Sequence, residues 1–147
     1  MKRVFGIGSS KKIVSTMLVA MVLCTGMFSS VFAGNVRDES YTFHNTNTSG
    51  NSTWREKTDS TKVYVYPTSG PELEYTVQGA NDSYGNGSIN VSGTHRISNG
   101  VQGSITNNVY ERGKPWARIH FTRTTYANTN TYGVWSPDST RNYTVFG

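Results

Sequence analysis

The residue types of a serine hydrolase triad occur towards the end of the chain. Ser136, Asp138 and His120 supply the hydroxyl, carboxylate and imidazole that act in such enzymes as nucleophile, orienting acid and base. The surrounding sequence has no Gly-x-Ser-x-Gly elbow, and Pro137 favours a β-turn. We therefore interpret the run Ser-Pro-Asp-Ser as a turn in which Ser136 and Asp138 are exposed without a partner base. The sequence predicts no catalytic residue.

Acidic pairs give no stronger indication of catalysis. Glu72 and Glu74 lie two residues apart, and Glu111 stands near the end of another predicted strand. A glycosidase needs two carboxyl groups on opposite sides of a sugar, whereas two acids on one exposed strand face are typical of a solvated surface. These acids therefore do not lead us to predict an enzyme.

Metal ligation is also poorly supported by residue spacing. The three histidines, His44, His95 and His120, are dispersed and lack the spacing of metal ligands. The segment 81–88 is rich in side-chain oxygens but has a single carboxylate, Asp82, which is typical of an Asn-Gly turn. A weak calcium site at 81–88 stays open as an alternative, and we predict neither a metal nor another cofactor.

Outward-facing aromatic residues are the best candidates for binding a ligand. We expect Trp116, Trp135, Tyr64 and Tyr66 to lie on outer faces of strands, where they can stack on sugar rings or insert at a membrane interface. The alternative is that they cover hydrophobic neighbours on adjacent strands.

The elements that position these residues are predicted to be β-strands. In residues 61–67, TKVYVYP, valines and tyrosines alternate with the period of a strand that Pro67 ends. Residues 73–78, LEYTVQ, repeat the pattern, and we expect the two segments to form a hairpin. The strongest alternation is PWARIHFTRT at 115–124, where Ala, Ile and Phe share one face.

The end of the chain is predicted to form a last hairpin. A turn at Pro137 and Asp138 would pair YGVW with NYTVF and direct Val134, Tyr143 and Val145 inward.

Seven to nine short strands at roughly ten-residue spacing predict an all-β fold, an antiparallel β-sandwich or a partly open barrel. Residues 34–60 form an Asn/Thr-rich segment with weak strands, 61–147 the core of the sandwich, and 34–147 together one domain. Leu73 is the only leucine among these 114 residues, while fifteen are aromatic, a composition typical of strands.

The first 33 residues have the pattern of a secretory signal peptide. A basic start precedes the apolar run at 13–24, and SSVFA ends the segment at Ala33. We expect cleavage before Gly34, with an uncleaved membrane anchor or lipidation at Cys24 as the alternatives. Because Cys24 is the only cysteine, the mature chain would lack both disulfides and a thiol nucleophile.

The net charge of +5 overstates the basic character of the predicted mature chain. Four of the 14 basic residues lie in the signal and all nine acids lie beyond it, so the mature chain has a net charge of +1. This near-neutral balance lacks the strong, clustered excess of basic residues that is typical of nucleic-acid-binding proteins. We expect the protein to be extracellular and to meet a membrane only during export.

Several short motifs resemble a known family. They are VYVY at 63–66, YTVQGAN at 75–81, the run SITNNVYERGKPWARIHFTR at 104–123 and YGVWSPDSTRNYTV at 132–145, with Arg55 and Lys57 upstream. The chain resembles a family of small secreted Gram-positive β-rich proteins of unknown function, with distant similarity to lactococcin-972-type bacteriocins. The resemblance implies secretion and β structure but supplies no catalytic residues.

We therefore predict a secreted, non-enzymatic protein that binds a cell-surface or extracellular target, such as a cell-wall component, and that is bacteriocin-like. The alternatives are an extracellular cell-wall hydrolase and a structural surface or matrix protein.

Overall fold

The computed structural model describes residues 34–141 and 143–147. The predicted signal peptide and Cys24 therefore lie outside the described residues. Ten strands form in this part of the chain: β1 (Glu39–His44), β2 (Ser49–Asn51), β3 (Arg55–Glu56), β4 (Val63–Ser69), β5 (Leu73–Ala80), β6 (Ile89–Ile97), β7 (Gly103–Ile105), β8 (Trp116–Arg123), β9 (Asn130–Ser136) and β10 (Thr144–Phe146).

The strands form two sheets packed face to face. Sheet A has the order β1-β9-β4-β7-β10, and sheet B has the order β2-β8-β5-β6, with β3 also pairing with β8. All pairs are antiparallel except β7 with β10, which is parallel. The prediction of an all-β sandwich is confirmed, and in the described part of the chain the sheets do not close into a barrel.

The first two strong strand patterns lie in different sheets, so the expected hairpin between them is wrong. β4 belongs to sheet A and β5 to sheet B. The chain passes between the sheets at Gly70, whose φ of 96° is in the left-handed region that favours glycine. β4 also continues beyond Pro67 to Ser69, because a register shift accommodates the missing proline N–H.

The core lies between the two sheets and is built from the alternating apolar positions. Its buried members are Tyr41, Phe43, Val63, Val65, Leu73, Tyr75, Val77, Val91, Ile97, Ile105, Val109, Ala117, Ile119, Phe121 and Trp135. Burial of each large apolar side chain stabilises the fold by roughly 1.5–3 kcal/mol.

An aromatic group joins the sheets at the centre of this core. The Tyr41 ring lies 4.7 Å from that of Phe121, and the Tyr41 and Tyr75 hydroxyls are 3.0 Å apart. Tyr41 is the strand partner of Gly133, where an added Cβ would clash with the Tyr41 hydroxyl and would lie 2.5 Å from Tyr41 Cζ. Glycine at this position therefore makes room for the ring that connects the sheets.

The predicted last hairpin is wrong. β9 pairs with β1 and β4, while β10 lies at the far edge of sheet A beside β7. Residues 137–141 and Tyr143, which we call the crossing segment, therefore do not form a tight turn, and Arg141 and Tyr143 lie over Tyr64 on the outer face of the sheet. Tyr143 and Val145, predicted to point inward, are 37% and 55% exposed, and Val134 is half-buried on the outer face.

The described strands all belong to one compact unit. Residues 34–60 were predicted to be an Asn/Thr-rich segment with weak strands. They contribute β1 to sheet A and both β2 and β3 to sheet B. Within the described ranges, no helix is long and apolar enough to cross a membrane.

Candidate polysaccharide-binding face

The outer face of sheet B is the candidate functional site. Its residues are the outward positions of β8, β5, β6 and β2, which the strand registers align in rows that run across the sheet. We call this surface the polar face, and it comprises Asn51, Glu74, Thr76, Gln78, Asn90, Thr94, Arg96, Trp116, Arg118, His120 and Thr122. The face results from strand alternation, because the neighbours of these residues along each strand point inward and contribute to the core.

The first row joins three strands through planar polar side chains. Arg118 on β8, Gln78 on β5 and Asn90 on β6 are neighbours in register. Arg118 Nε donates to Gln78 Oε1 at 2.8 Å, and Gln78 Nε2 donates to Asn90 Oδ1 at 2.9 Å. Each link holds the next side chain in place, so the row presents amide and guanidinium groups in a fixed arrangement.

The Arg118 end of this row is supported by Trp54. The guanidinium carbon lies 4.3 Å from the centre of the Trp54 ring, within the range of a cation–π interaction. A Cβ at Gly85 would lie 2.6 Å from Trp54 Nε1, so the loop after β5 packs closely against the indole. Partial burial lowers the pKa of Arg118, which remains charged at neutral pH.

The second row contains His120. Its Nδ1 lies 2.9 Å from Asn51 Oδ1, and because that oxygen is an acceptor, Nδ1 donates and Nε2 is left as the acceptor of a neutral ring. Partial burial, followed by the charge of Arg118, lowers the pKa of His120, which favours the neutral form. Thr76 and Thr94 complete the row with a hydroxyl–hydroxyl contact of 2.8 Å.

The third row is charged, and the opposite end of the face carries an indole. Arg96 Nε donates to Glu74 Oε1 at 3.0 Å in an exposed pair. Trp116 lies two residues before Arg118 on β8 and is half-buried. A planar aromatic surface therefore borders a set of neutral and charged hydrogen-bonding groups.

This arrangement is chemically suited to a ligand rich in hydroxyl groups. Amide and hydroxyl side chains both donate and accept hydrogen bonds, so they can match the mixed character of sugar hydroxyls. An indole provides a flat apolar surface for the C–H face of a sugar ring. The set contains no nucleophile–base pair with an orienting acid.

The four predicted ligand-binding aromatic residues do not form one site. Trp116 lies on the polar face, and Tyr66 lies half-buried on the outer face of sheet A. Trp135 was expected to face outward, but it is 0% exposed and belongs to the core. Alternation along β9 places it there because its neighbours Val134 and Ser136 take the outward positions.

Tyr64 does lie on an outer face, that of sheet A, but the crossing segment covers it. Its ring is 5.3 Å from that of Tyr143 and 4.5 Å from the guanidinium carbon of Arg141. Arg141 is held in turn by two 3.0 Å contacts with Asp38. Tyr64 is consequently 3% exposed and presents little surface to a ligand.

The structure separates the residues of the triad interpretation. Ser136 lies on the outer face of sheet A, and His120 lies on that of sheet B. Both Ser136 and Asp138 are buried, so their predicted exposure is wrong. The turn interpretation missed this because the groups that bury Asp138 come from residues about eighty positions earlier.

Asp138 forms a buried ion pair with Lys57. Lys57 Nζ lies 2.7 Å from Asp138 Oδ1, and both side chains are 0% exposed. Lys57 Nζ also donates to the carbonyls of Thr61 and Pro137, while Thr58 Oγ1 donates to Asp138 Oδ2 at 2.8 Å. Burial alone would raise the pKa of Asp138, but the hydrogen bond and charge of Lys57 and the Thr58 donors bring it below its ordinary value.

In the segment 81–88, which the sequence left open as a weak calcium site, the single carboxylate makes local hydrogen bonds. Asp82 accepts hydrogen bonds from the backbone N–H groups of Tyr84 and Asn86 and from the Asn86 side chain, which is the pattern of an Asx turn. These three donors lower the pKa of Asp82, the Asn86 side chain most strongly. Among the described residues, no three His, Cys, Asp or Glu side chains are grouped as metal ligands.

Arg118, Gln78 and Asn90 were missed as site residues. Their outward position follows from alternation, which the sequence displays, but the fact that they are neighbours depends on the register of three strands. A signal was nevertheless present for Arg118 and Gln78, because each lies at an outward polar position of a predicted strand.

No curated protein and no solved structure matches this chain. A family described as "Protein of unknown function (DUF2712)" matches residues 29–139, which include nine of the ten strands. The chain belongs to this family.

Proposed function

We propose that the protein is an exported, non-enzymatic module that binds a cell-surface polysaccharide through the polar face of sheet B. The observation that carries the proposal is the row Arg118–Gln78–Asn90, in which planar hydrogen-bonding side chains from three strands are fixed beside Trp116. Export is supported by the signal-like pattern of residues 1–33.

Preorganisation supports binding rather than simple solvation of this face. The side chains of the row already hold one another, so a ligand would order few additional rotamers on binding. His120, Thr76 and Thr94 of the second row continue the hydrogen-bonding surface along the sheet, as an extended chain of sugars requires. The mature net charge of +1 favours a neutral or weakly anionic polymer over a strongly anionic one.

The experiment is a pull-down of labelled protein with purified peptidoglycan, other wall polymers and intact cells. We expect Trp116→Ala to weaken binding to the retained polymer about tenfold, which corresponds to about 1.4 kcal/mol. Tyr132→Ala is the matched control, because Tyr132 is a 45% exposed aromatic residue on the outer face of sheet A. Equal binding by wild type and Trp116→Ala, with loss in Tyr132→Ala, would contradict the proposal.

The same material distinguishes binding from the hydrolase alternative. A binding module leaves the polymer intact, whereas a hydrolase releases soluble fragments over time. Fragment release by the purified protein would replace this proposal with an enzymatic one.

A bacteriocin-like action, which the family resemblance implies, would add a further step to wall binding. It is tested separately by adding the purified protein to growing cells. Growth inhibition that Trp116→Ala abolishes would support this finer form of the proposal, and wall binding without inhibition would exclude it while leaving the binding function in place.

A further inference from the structure

The beginning of the described chain lies against two carboxylates. A Cβ added at Gly34 would be 2.5 Å from Asp59 Oδ2 and 2.8 Å from Asp138 Cβ. The next residue is tightly held, because Asn35 N donates to Asp138 Oδ2 at 2.7 Å and Asn35 Nδ2 donates to the Glu56 carbonyl at 2.9 Å. The backbone at Gly34 is therefore fixed beside the Lys57–Asp138 pair.

The charges around Gly34 do not balance. Asp59 and Asp138 contribute two negative charges, and Lys57 Nζ, 3.8 Å from Asp59 Oδ1 and 2.7 Å from Asp138 Oδ1, contributes one positive charge. Arg55, a second nearby cation, donates to Asn35 Oδ1 and forms an ion pair with Glu39. Asp59, Asp138 and Lys57 together therefore have a net charge of −1, and Arg55, whose main partner is Glu39, interacts with Asp138 from further away.

The carboxylate nearest to Gly34 has an oxygen that faces it. Asp59 Oδ1 accepts hydrogen bonds from the N–H and hydroxyl groups of Thr61, whereas Asp59 Oδ2 is the atom closest to the Gly34 Cβ position. A residue's own N and Cβ are about 2.5 Å apart, so Gly34 N lies within about 5 Å of Asp59 Oδ2. An opposite charge at this distance favours the charged form of an amine, so Asp59 would stabilise an ammonium group at Gly34.

We propose that the Ala33–Gly34 bond is the processing site, and that the α-ammonium group which cleavage creates at Gly34 is bound by a preformed site made by Asp59 and Asp138. Hydrolysis of this peptide bond by a signal peptidase consumes one water and yields the Ala33 carboxylate and the Gly34 amine. Protonated, that amine neutralises the remaining negative charge beside Lys57. The close approach of Asp59 and Asp138 also explains glycine as the first residue, since any larger side chain would displace them.

Processing would therefore add an ion pair to the fold, and its contribution depends on pH. An α-amine has an ordinary pKa of about 8, and a neighbouring carboxylate favours its charged form. The added stability is fully present below pH 8 and is lost as the pH rises through the higher pKa of the folded state. Because the Asp59 side chain is 26% exposed, solvent moderates the effect.

The first test is the N-terminal sequence of protein exported from cells that express the full chain. We expect Gly34, and any other first residue would overturn the proposal. The second compares urea unfolding of the chain 34–147 with that of 33–147, since all ten strands and the described core lie within the shorter chain.

We expect the folded-to-unfolded ratio of the Gly34 form to be roughly two- to fivefold larger at pH 7, in the range of a partly exposed ion pair, and the difference to vanish at high pH. In Asp59→Asn the difference should be clearly smaller, because only Asp138 of the two carboxylates remains, whereas in the control Asp82→Asn it should persist in full. Equal stability of the two wild-type forms, or an undiminished difference in Asp59→Asn, would overturn the proposal.

A second measurement keeps the test valid if Asp59→Asn fails to fold. The α-amine of native protein should be acylated at neutral pH at least several-fold more slowly than that of the same protein in urea, as followed by mass spectrometry. Equal acylation rates would show that the amine is free, and the proposed site would be wrong.

Discussion

At the scale of single residues, a buried charge pair at one end of the sandwich holds distant segments together. Lys57 and Asp138 connect the loop before β4 to the segment after β9, and Asn35 joins them through its backbone. The side-chain nitrogen of Lys57 and both side-chain oxygens of Asp138 have hydrogen-bond partners. Removing one partner would leave the other as an uncompensated buried charge.

We predict that Lys57→Met destabilises the protein by about 3–5 kcal/mol, because Asp138 would keep its charge in a buried position. Lys62→Met, at an exposed lysine five residues further along, should change stability by less than about 0.5 kcal/mol. Urea unfolding of both variants measures the difference. A similar, small effect of the two substitutions would contradict the role of the pair.

The same ion pair predicts how the stability of the folded protein decreases at acidic pH. Because the pKa of Asp138 is lowered in the folded state, its contribution is present above the unfolded value of about 3.9 and is lost as the pH falls through the lower folded value. Asp138→Asn should be less stable at neutral pH and should lose less stability on acidification to pH 2. An unchanged acid dependence in Asp138→Asn would count against this assignment.

At the scale of the elements, the sequence could not predict the course of the crossing segment or the strand with which β10 pairs. The alternation in YGVW and NYTVF predicts two strands, and both occur, but alternation is equally consistent with any partner. β9 lies between β1 and β4, which offer longer ladders than the three residues of β10. Strand positions are local properties, whereas the pairing of strands depends on residues far away in the chain.

This arrangement reverses an expectation about Val145. On the hairpin interpretation Val145→Asp would bury a charge, but Val145 is 55% exposed on an edge strand. We therefore predict a stability change of less than about 1 kcal/mol. The matched control is Val65→Asp on β4 of the same sheet, where the side chain is 0% exposed and the charge should prevent folding. Loss of soluble protein with Val145→Asp would show that β10 packs inward.

The same distinction between local and distant information applies to the polar face. Alternation in PWARIHFTRT places Trp116, Arg118 and His120 outward, as the structure shows. The contacts with Gln78 and Asn90 require the register of β8, β5 and β6, including the shift between Thr76 and Gln78. The candidate face could be anticipated from the sequence, but its hydrogen-bonded row could not.

At the scale of the whole molecule, packing between two sheets must supply the stability of the chain 34–147. Residues 34–147 contain no cysteine, and fifteen buried residues form the core between the sheets. We predict that thermal unfolding is unchanged by reductant and by EDTA. A lower melting midpoint in EDTA would instead indicate a calcium site in the loop that contains Asp82.

The central claim, that the polar face binds a polysaccharide, is tested most directly by NMR titration of the folded protein with a soluble fragment of the polymer retained in the pull-down. Trp54, Trp116 and Trp135 provide three indole N–H signals at distinct places: beside Arg118, on the polar face and in the core. We predict that the Trp116 signal and the amide signals of β8 and β5 shift progressively with ligand, while the Trp135 signal does not. Shifts confined to the outer face of sheet A, around Tyr66 and Tyr132, would contradict the claim.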